Sequence, residues 1–494
     1  VDIGVYISLA IYFLGMIGIG IYAYKKSTDD VSGYMLGGRG LGPAVTALSA
    51  GAADMSGWML MGLPGAMFKD GVSSLWIAVG LLIGAYLNYL LIAPRLRTYT
   101  EVANDSITIP DYFENRFHDT SRILRTVSAV VIIVFFTLYI SSGLVSGGRL
   151  FQSSFGLDYK WGMILTAGVV IAYTLFGGFL AVSLTDFVQG VIMFVALVLV
   201  PIVAFTDVGG VKTSFTIIKD VNPALLNFFE GTTVIGIVSL LAWGLGYFGQ
   251  PHIIVRFMAI TSIKEIRSAR RIGIGWMAVS IVGAMLTGLV GISYYKQNGM
   301  SLKDPETIFI EFSHILFHPL ITGFLLSAIL AAIMSTISSQ LLVTSSGLTE
   351  DIYKTFFRRQ ATDKELVFFG RLSVLVVAVI GILMSLTPSK TILDLVGYAW
   401  AGFGSAFGPA VLLSLFWKRM TKWGALSGMI VGAATVLIWV NAGLSPKLYE
   451  MIPGFFLSLL AVIVVSLFTK KPSADVQDTF DEMETTLERE LKAM

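Results

Sequence analysis

The 494-residue chain contains no cysteine. That excludes a disulfide framework, thiolate metal sites and a cysteine nucleophile. Charge is also scarce: Asp, Glu, Lys and Arg make up 13% of the residues, against about 25% in soluble domains. With 55% apolar residues, the chain lacks the polar groups to cover its own surface, so most of that surface must face lipid. A net charge of +2 gives no reason to expect nucleic acid as a partner. Histidine is rare, and His314 and His318, although four apart like helical metal ligands, have no apparent third ligand. No paired acid, nucleophile–base set or metal constellation marks an enzyme.

What the chain does have is apolar runs of about 20 residues, the length that crosses a bilayer core of about 30 Å. Thirteen such segments are expected, near 3–24, 42–68, 73–93, 122–151, 159–177, 181–205, 230–255, 272–295, 307–347, 366–387, 392–417, 423–442 and 449–469. The chain thus reads as an all-α polytopic membrane protein. The ninth run is too long for one straight span and is expected to include an external surface helix. The first run is preceded by Asp2 rather than by a basic stretch, so it reads as a span and not as a cleavable signal.

Charge in the loops orients the spans. With the N-terminus outside, about 23 Lys and Arg fall inside, from Lys25 and Arg39 through Arg97, Arg256 and Arg358 to Lys471, against about 9 outside. A missed or extra span would scramble this bias. The acidic tail from Lys470 to Met494 then lies in the cytoplasm and reads as a short amphipathic helix, too short for an output domain. The expected location is the inner membrane of a bacterium, with no obligatory protein partner.

Function is sought where the lipid rules are broken. Asp54 falls near the middle of the second segment, where a carboxylate costs at least about 2.5 kcal/mol. Gly51, Gly57 and small residues flank it, so the helix can unwind there and expose carbonyl oxygens. In the seventh segment Gly244, Gly246, Gly249 and Pro251 interrupt the run. The glycines match G-x-G-x-x-G, but without the strand and βαβ unit that a dinucleotide fold requires. A discontinuous helix lining a cavity with aromatic side chains is the expectation.

Segments two to six and seven to eleven form two blocks of five. Five is odd, so the second block enters from the opposite side, and the broken segments open each block. That pattern points to an inverted-repeat transporter with its site at the midplane. In the ninth segment Ala332, Ser335, Thr336 and Ser339 share one helical face. Its hydroxyls, with a carbonyl that back-bonding can free, suit a hard cation bound weakly by neutral oxygens, or else simply bond the backbone and neighbouring helices. Asp186 is expected at the cytoplasmic start of the sixth span, either guiding ions or capping the helix.

Several stretches carry a resemblance: Gly37-Gly38-Arg39 with Leu41-Gly42-Pro43, Ala50 to Ala66, Trp243 to His252, Ser327 to Thr336, Tyr398 to Gly404, and Trp417 to Gly428. Across essentially its whole length the chain resembles the sodium:solute symporter family. The resemblance implies a LeuT-type 5+5 inverted-repeat fold working by alternating access, with one helix before the core and two after. It divides the chain into 1–40 (extra helix and cytoplasmic loop), 41–258 (first repeat and start of the second), 230–420 (second repeat), 421–469 (two C-terminal helices) and 470–494 (tail). It implies sodium as the co-transported ion, no organic cofactor, and sodium ligands from the carbonyls of Ala52, Met55 and Ala332 and the hydroxyls of Ser335 and Thr336. In proline-carrying members the substrate region matches Asp54, Ser56, Gly57, Trp58, Tyr139, Trp243 and Tyr247. The chain departs from some members at Ser339 and Ser345, where they carry cysteine; neither position is an implied ligand.

The residues themselves suit L-proline. An aromatic wall can pack its ring, Asp54 or freed carbonyls can accept from its amino group, and helix N-termini at the breaks can hold its carboxylate. Other readings stand beside this one: a sodium symporter for another small solute, or a membrane channel or sensor. A channel is expected to show a filter or ring of charges, and neither is visible.

Overall fold

Inside a bilayer the backbone has no water to bond, so it must satisfy its N–H and C=O groups within helices. The computed structural model describes residues 1–26, 30–388 and 390–494. Its helices are α1 (Ile3–Lys26), α2 (Val31–Leu36), α3 (Pro43–Gly57), α4 (Leu63–Asp70), α5 (Leu75–Leu87), α6 (Ala93–Val102), α7 (Ile109–Phe117), α8 (Ile123–Phe155), α9 (Tyr159–Val208) and α10 (Val211–Val221). They continue with α11 (Val234–Leu241), α12 (Pro251–Ala259), α13 (Ile266–Gln297), α14 (Ile308–Ile315), α15 (Pro319–Ser346), α16 (Asp363–Met384), α17 (Ile392–Phe416), α18 (Lys422–Asn441), α19 (Met451–Phe468) and α20 (Ala474–Lys492). Proline opens α3, α12 and α15, where its missing N–H is no loss. Thr233, Thr362, Thr391 and Thr421 start α11, α16, α17 and α18, each side chain accepting a backbone N–H of the first turn.

Ten of these runs are long and apolar enough to cross a bilayer, and the pair Val234–Gly249 and Pro251–Ala259, bent by 44°, makes an eleventh. Two reversals bring the crossings to thirteen. The 60-residue run Pro43–Val102 would be roughly 90 Å long if straight. Instead Gly51 meets Trp276 and Gly273 meets Tyr89, so both limbs reach the same end of α13 and the chain turns back at Gly71. The second reversal lies within α9, at Gly178 (φ 59°, ψ −144°), a conformation that glycine alone adopts readily. Before it, Gly20 faces Tyr173; after it, Gln189 donates to Tyr12 Oη at 2.9 Å, back along α1. The long ninth run divides into the short α14 and the spanning α15.

The two broken segments sit at the centre. Helix α3 packs between α9, α13 and α15, while α17 lies against the break between α11 and α12. At one end they are fastened together: Leu41 N donates to Ala259 O at 3.1 Å and Thr261 N to Leu41 O at 3.0 Å. Arg39 adds a bond from Nη1 to Met258 O at 2.7 Å. The tail forms α20, which buries Val476, Phe480, Met483 and Leu487 against α6 and α7. That spacing is the stripe of an amphipathic helix.

Candidate functional site

Helix α3 runs through small residues to Ser56, whose φ of 43° and ψ of −168° break it. A positive φ at a non-glycine residue is uncommon. Here the Ser56 Oγ accepts the Trp58 N–H at 3.2 Å. Helical geometry resumes with a wide turn, Trp58–Gly62, and α4. In the seventh segment α11 tightens into a 3-10 stretch, Ala242–Gly249, before Gln250 turns the chain into α12. Helix α17 braces this second break. Trp400 Nε1 donates to Trp243 O at 2.7 Å, and Gln250 Nε2 donates to both Gly246 O and Trp400 O, at 3.0 and 2.9 Å. Glycine permits the approach: a Cβ on Gly244 would overlap the Gly80 carbonyl, and one on Gly246 the Trp400 indole.

The breaks face each other. The Tyr247 hydroxyl donates to Asp54 Oδ2, linking them directly. Asp54, Met55, Trp58, Leu81, Tyr139, Trp243, Tyr247, Val396 and Trp400 line a narrow slot with about 10 Å³ of free space, scarcely enough for one water. Trp58 and Trp243 stack with centroids 6.5 Å apart, and Tyr247 meets Trp400 edge-on at 5.0 Å. Two buried donors on the slot, Trp58 Nε1 and Tyr139 Oη, have no hydrogen-bond partner within the protein. Beyond Trp243 lies a wider vestibule of about 530 Å³, lined by Trp243, Asp394, Tyr398, Tyr449 and Glu450 among others.

Of the seven residues expected around substrate, the structure brings Asp54, Trp58, Tyr139, Trp243 and Tyr247 to this slot. Ser56 and Gly57 do not line it. Ser56 forms the break itself, and Gly57, next to it and back in helical geometry, lies so close to Ser146 that a Cβ would be 2.7 Å from its Oγ. Leu81, Val396 and Trp400 were not expected there. Trp400 stands in the aromatic, glycine-rich stretch Tyr398–Gly404, the one sequence signal that pointed toward it.

One turn away the oxygens of α3 and α15 converge. Ser335 Oγ donates to Ala52 O at 2.7 Å, and Thr336 Oγ1 lies 3.4 Å from the same carbonyl. Both hydroxyls also reach Ala332 O at 3.1 Å. Four of the five expected ion ligands thus form one cluster. The fifth, the Met55 carbonyl, sits at the break and accepts the Trp58 N–H.

Asp186 corrects its expected place. It lies eight residues beyond the reversal at Gly178, about 12 Å into the helix, and is fully buried rather than a cap at the cytoplasmic start. Arg256, grouped above with cytoplasmic loop cations, is also fully buried. Its Nη2 stands 3.0 Å from Asp186 Oδ2 and donates to Ser339 Oγ at 2.7 Å, and Ser49 Oγ donates to Asp186 Oδ2 at 2.9 Å. Four helices therefore meet at one ion pair. Ser339 Oγ bonds Ser335 O at 2.9 Å, one turn from the hydroxyl cluster.

The model of the sodium:solute symporter family matches residues 34–432. The chain belongs to that family. Among its relatives are two proteins of Bacillus subtilis (strain 168). The osmoregulated proline transporter OpuE is 68% identical over 490 residues, 99% of each chain. The high-affinity proline transporter PutP is 67% identical, over 96% of this chain and 100% of its own. A sodium/proline symporter of Staphylococcus aureus (strain NCTC 8325 / PS 47) is 56% identical, over 96% of this chain and 94% of its own. A sodium-coupled sialic acid symporter in its substrate-bound outward-open state superposes with a TM-score of 0.80 at 20% identity, covering 95% of this chain and 99% of that one. MhsT in complex with L-phenylalanine superposes with a TM-score of 0.53 at 14% identity, over 86% and 98% of the two chains. These likenesses show the LeuT-type fold. For this family member the broken helices are the paired discontinuous segments of an inverted-repeat transporter.

Proposed function

We propose that this symporter carries L-proline into a bacterial cell together with sodium, by alternating access at the slot between the two broken helices. The observation that carries the reading is the continuity of Ala52 and Asp54. The Ala52 carbonyl takes the Ser335 hydroxyl, and two residues on Asp54 takes that of Tyr247. An ion held by the carbonyls of Ala52, Met55 and Ala332 and the hydroxyls of Ser335 and Thr336 orders the backbone that positions Asp54. Substrate bound there stabilises the same ordered break. Each ligand then raises the affinity of the other by one coupling free energy.

Proline fits the chemistry of the walls. Trp58, Trp243, Tyr247 and Tyr139 present apolar faces to its ring. Asp54 or a carbonyl freed near Ser56 and Gly57 accepts from its amino group. The unpaired Trp58 Nε1–H and Tyr139 O–H donate to its carboxylate, a group that satisfies buried donors that would otherwise stay unpaired at a cost of about 1–3 kcal/mol each. The proline transport named for the 68% and 67% identical relatives supports the same substrate. Asp186, one turn beyond the hydroxyls, lies on the ion's path toward the cytoplasm. The repeats take the bounds inferred from the sequence, 41–258 and 230–420. The N-terminus lies outside and α20 in the cytoplasm, a reading supported by the excess of Lys and Arg in the loops that this orientation puts inside, and the vestibule then opens outward.

The test is uptake of labelled proline into proteoliposomes under an inward sodium gradient, with a panel of amino acids as competitors. Sodium-dependent uptake blocked by unlabelled proline is the expected result. Uptake displaced only by another solute, or unaffected by sodium, overturns the reading.

A further inference from the structure

The slot is too small for any amino acid, so its walls must part to admit one. The wall it shares with the vestibule is the Trp243 indole, which lines both. Trp58 lies on its inner face. On its vestibule side stands Tyr449, with ring centroids 5.3 Å apart and planes within 12° of parallel. Tyr449 comes from the turn between α18 and α19, remote in sequence from both breaks. It is held there from two sides. Its hydroxyl donates to Gly397 O of α17 at 2.6 Å, and its backbone N–H to Ser239 Oγ of α11 at 3.1 Å. The turn is anchored in its own right by Trp439 Nε1, which donates to Leu448 O at 2.9 Å. Gly397 makes room for the stack: a Cβ there would sit 3.0 Å from the Trp243 ring and 3.7 Å from that of Tyr449.

We propose that Tyr449 is a positioning residue that clamps Trp243 over the central slot and so sets the rate at which substrate passes between the slot and the vestibule. This rests on reading the slot as the substrate pocket. Stacked aromatic pairs gain beyond their buried area, and the bond to the Gly397 carbonyl orients the tyrosine so that its flat face meets the indole. To open, Trp243 must leave that face or carry the α18–α19 turn with it. The clamp therefore makes a C-terminal helix pair part of the gate. It acts on access alone, because Tyr449 touches neither Asp54 nor the hydroxyls of α15.

The experiment measures release of prebound labelled proline from purified protein in nanodiscs at saturating sodium. Tyr449→Ala is expected to speed release roughly ten-fold or more, from loss of both the stack and its orienting bond. Tyr449→Phe keeps the ring and should speed it only a few-fold. Gly397→Ala, which pushes on Trp243 while leaving Tyr449 intact, should also speed release. Half-saturating sodium should stay at the wild-type value in all three. Release at the wild-type rate in Tyr449→Ala overturns the proposal, as does a Tyr449→Phe protein as fast as Tyr449→Ala. Should Tyr449→Ala fail to fold, unchanged release in both Tyr449→Phe and Gly397→Ala overturns it equally. Tyr247→Phe runs alongside as a control on the pocket. If its equilibrium affinity for proline equals that of wild type, the pocket assignment fails. If its affinity falls while the Tyr449 variants release normally, only the clamp fails.

Discussion

Thr336 carries two oxygens' worth of consequence, since its hydroxyl lies near both Ala52 O and Ala332 O. Removing it in Thr336→Ala takes one neutral oxygen from the ion. If that ion–oxygen contact is comparable in size to a hydrogen bond to a charged group, about 1.5–3 kcal/mol, half-saturating sodium should rise roughly ten- to a hundred-fold, and high sodium should recover part of the uptake. Thr336→Ser keeps the oxygen and should be much milder; equal damage in both, measured as sodium-dependent uptake, would assign the residue to packing. At Asp54 the expectation differs. Asp54→Asn keeps the size but loses the charge, so proline binding should lose most of its sodium dependence, while Asp54→Glu retains more of it. Binding of labelled proline across a sodium titration distinguishes the two. Tyr247→Phe, which removes the hydroxyl donated to Asp54, should raise the proline concentration for half-maximal uptake with little change in sodium binding measured without proline.

At the scale of the element, the breaks are held by close backbone approach. Helix α5 passes the 3-10 stretch so tightly that Gly80, Gly84 and Gly244 leave no space for a side chain. Gly244→Ala must push these elements apart, and overpacking of this kind costs about 1–3 kcal/mol. The expected result is a loss of folded protein, or at least a ten-fold drop in uptake at equal expression. Gly275, on α13, has nothing within 4 Å of its would-be Cβ, so Gly275→Ala should leave uptake near wild type in the same assay. Similar effects at both positions would mean that helix propensity, not contact, decides. The breaks themselves were legible in the sequence, because a mid-span carboxylate flanked by Gly51 and Gly57, and three glycines followed by a proline within ten residues, are hard to fit into one straight lipid-facing helix. The brace was not. Trp400 and Gln250 hold the 3-10 stretch across about 150 residues of chain, and no local pattern encodes such a pairing.

For the whole molecule, coupling one sodium to one neutral substrate moves one net charge. A membrane potential of 100 mV then contributes about 2.3 kcal/mol per cycle, and a ten-fold sodium gradient about 1.4 kcal/mol more. Uptake into proteoliposomes should therefore rise with an inside-negative potential and generate a measurable inward current. Electroneutral uptake at saturating proline and sodium would rule out this stoichiometry. The buried pair of Asp186 and Arg256 belongs at this scale as well, since it joins α3, α9, α12 and α15 at one point. Charges buried together are costly to separate, so this junction ties the broken helices to the helix that carries the ion hydroxyls.

That the chain spans a membrane, roughly where each span lies, and which two spans are broken can all be read along the sequence. Hydrophobic length and backbone hydrogen bonding in lipid are local constraints, so they are written along the chain. The sequence also placed Asp54, Trp243 and Tyr247 at the breaks, because polar and aromatic residues beside an interrupted helix have a cavity as their natural surroundings. The folded molecule was needed to show that the Tyr247 hydroxyl meets Asp54, that Ser56 makes the break and neither it nor Gly57 lines the slot, and that Asp186 sits two turns inside the helix against Arg256. It alone brought Tyr449 onto Trp243. Each of these depends on the relative position of helices far apart in sequence. That position is set by how side chains and glycine gaps fit across the whole bundle, information that no single stretch of residues contains.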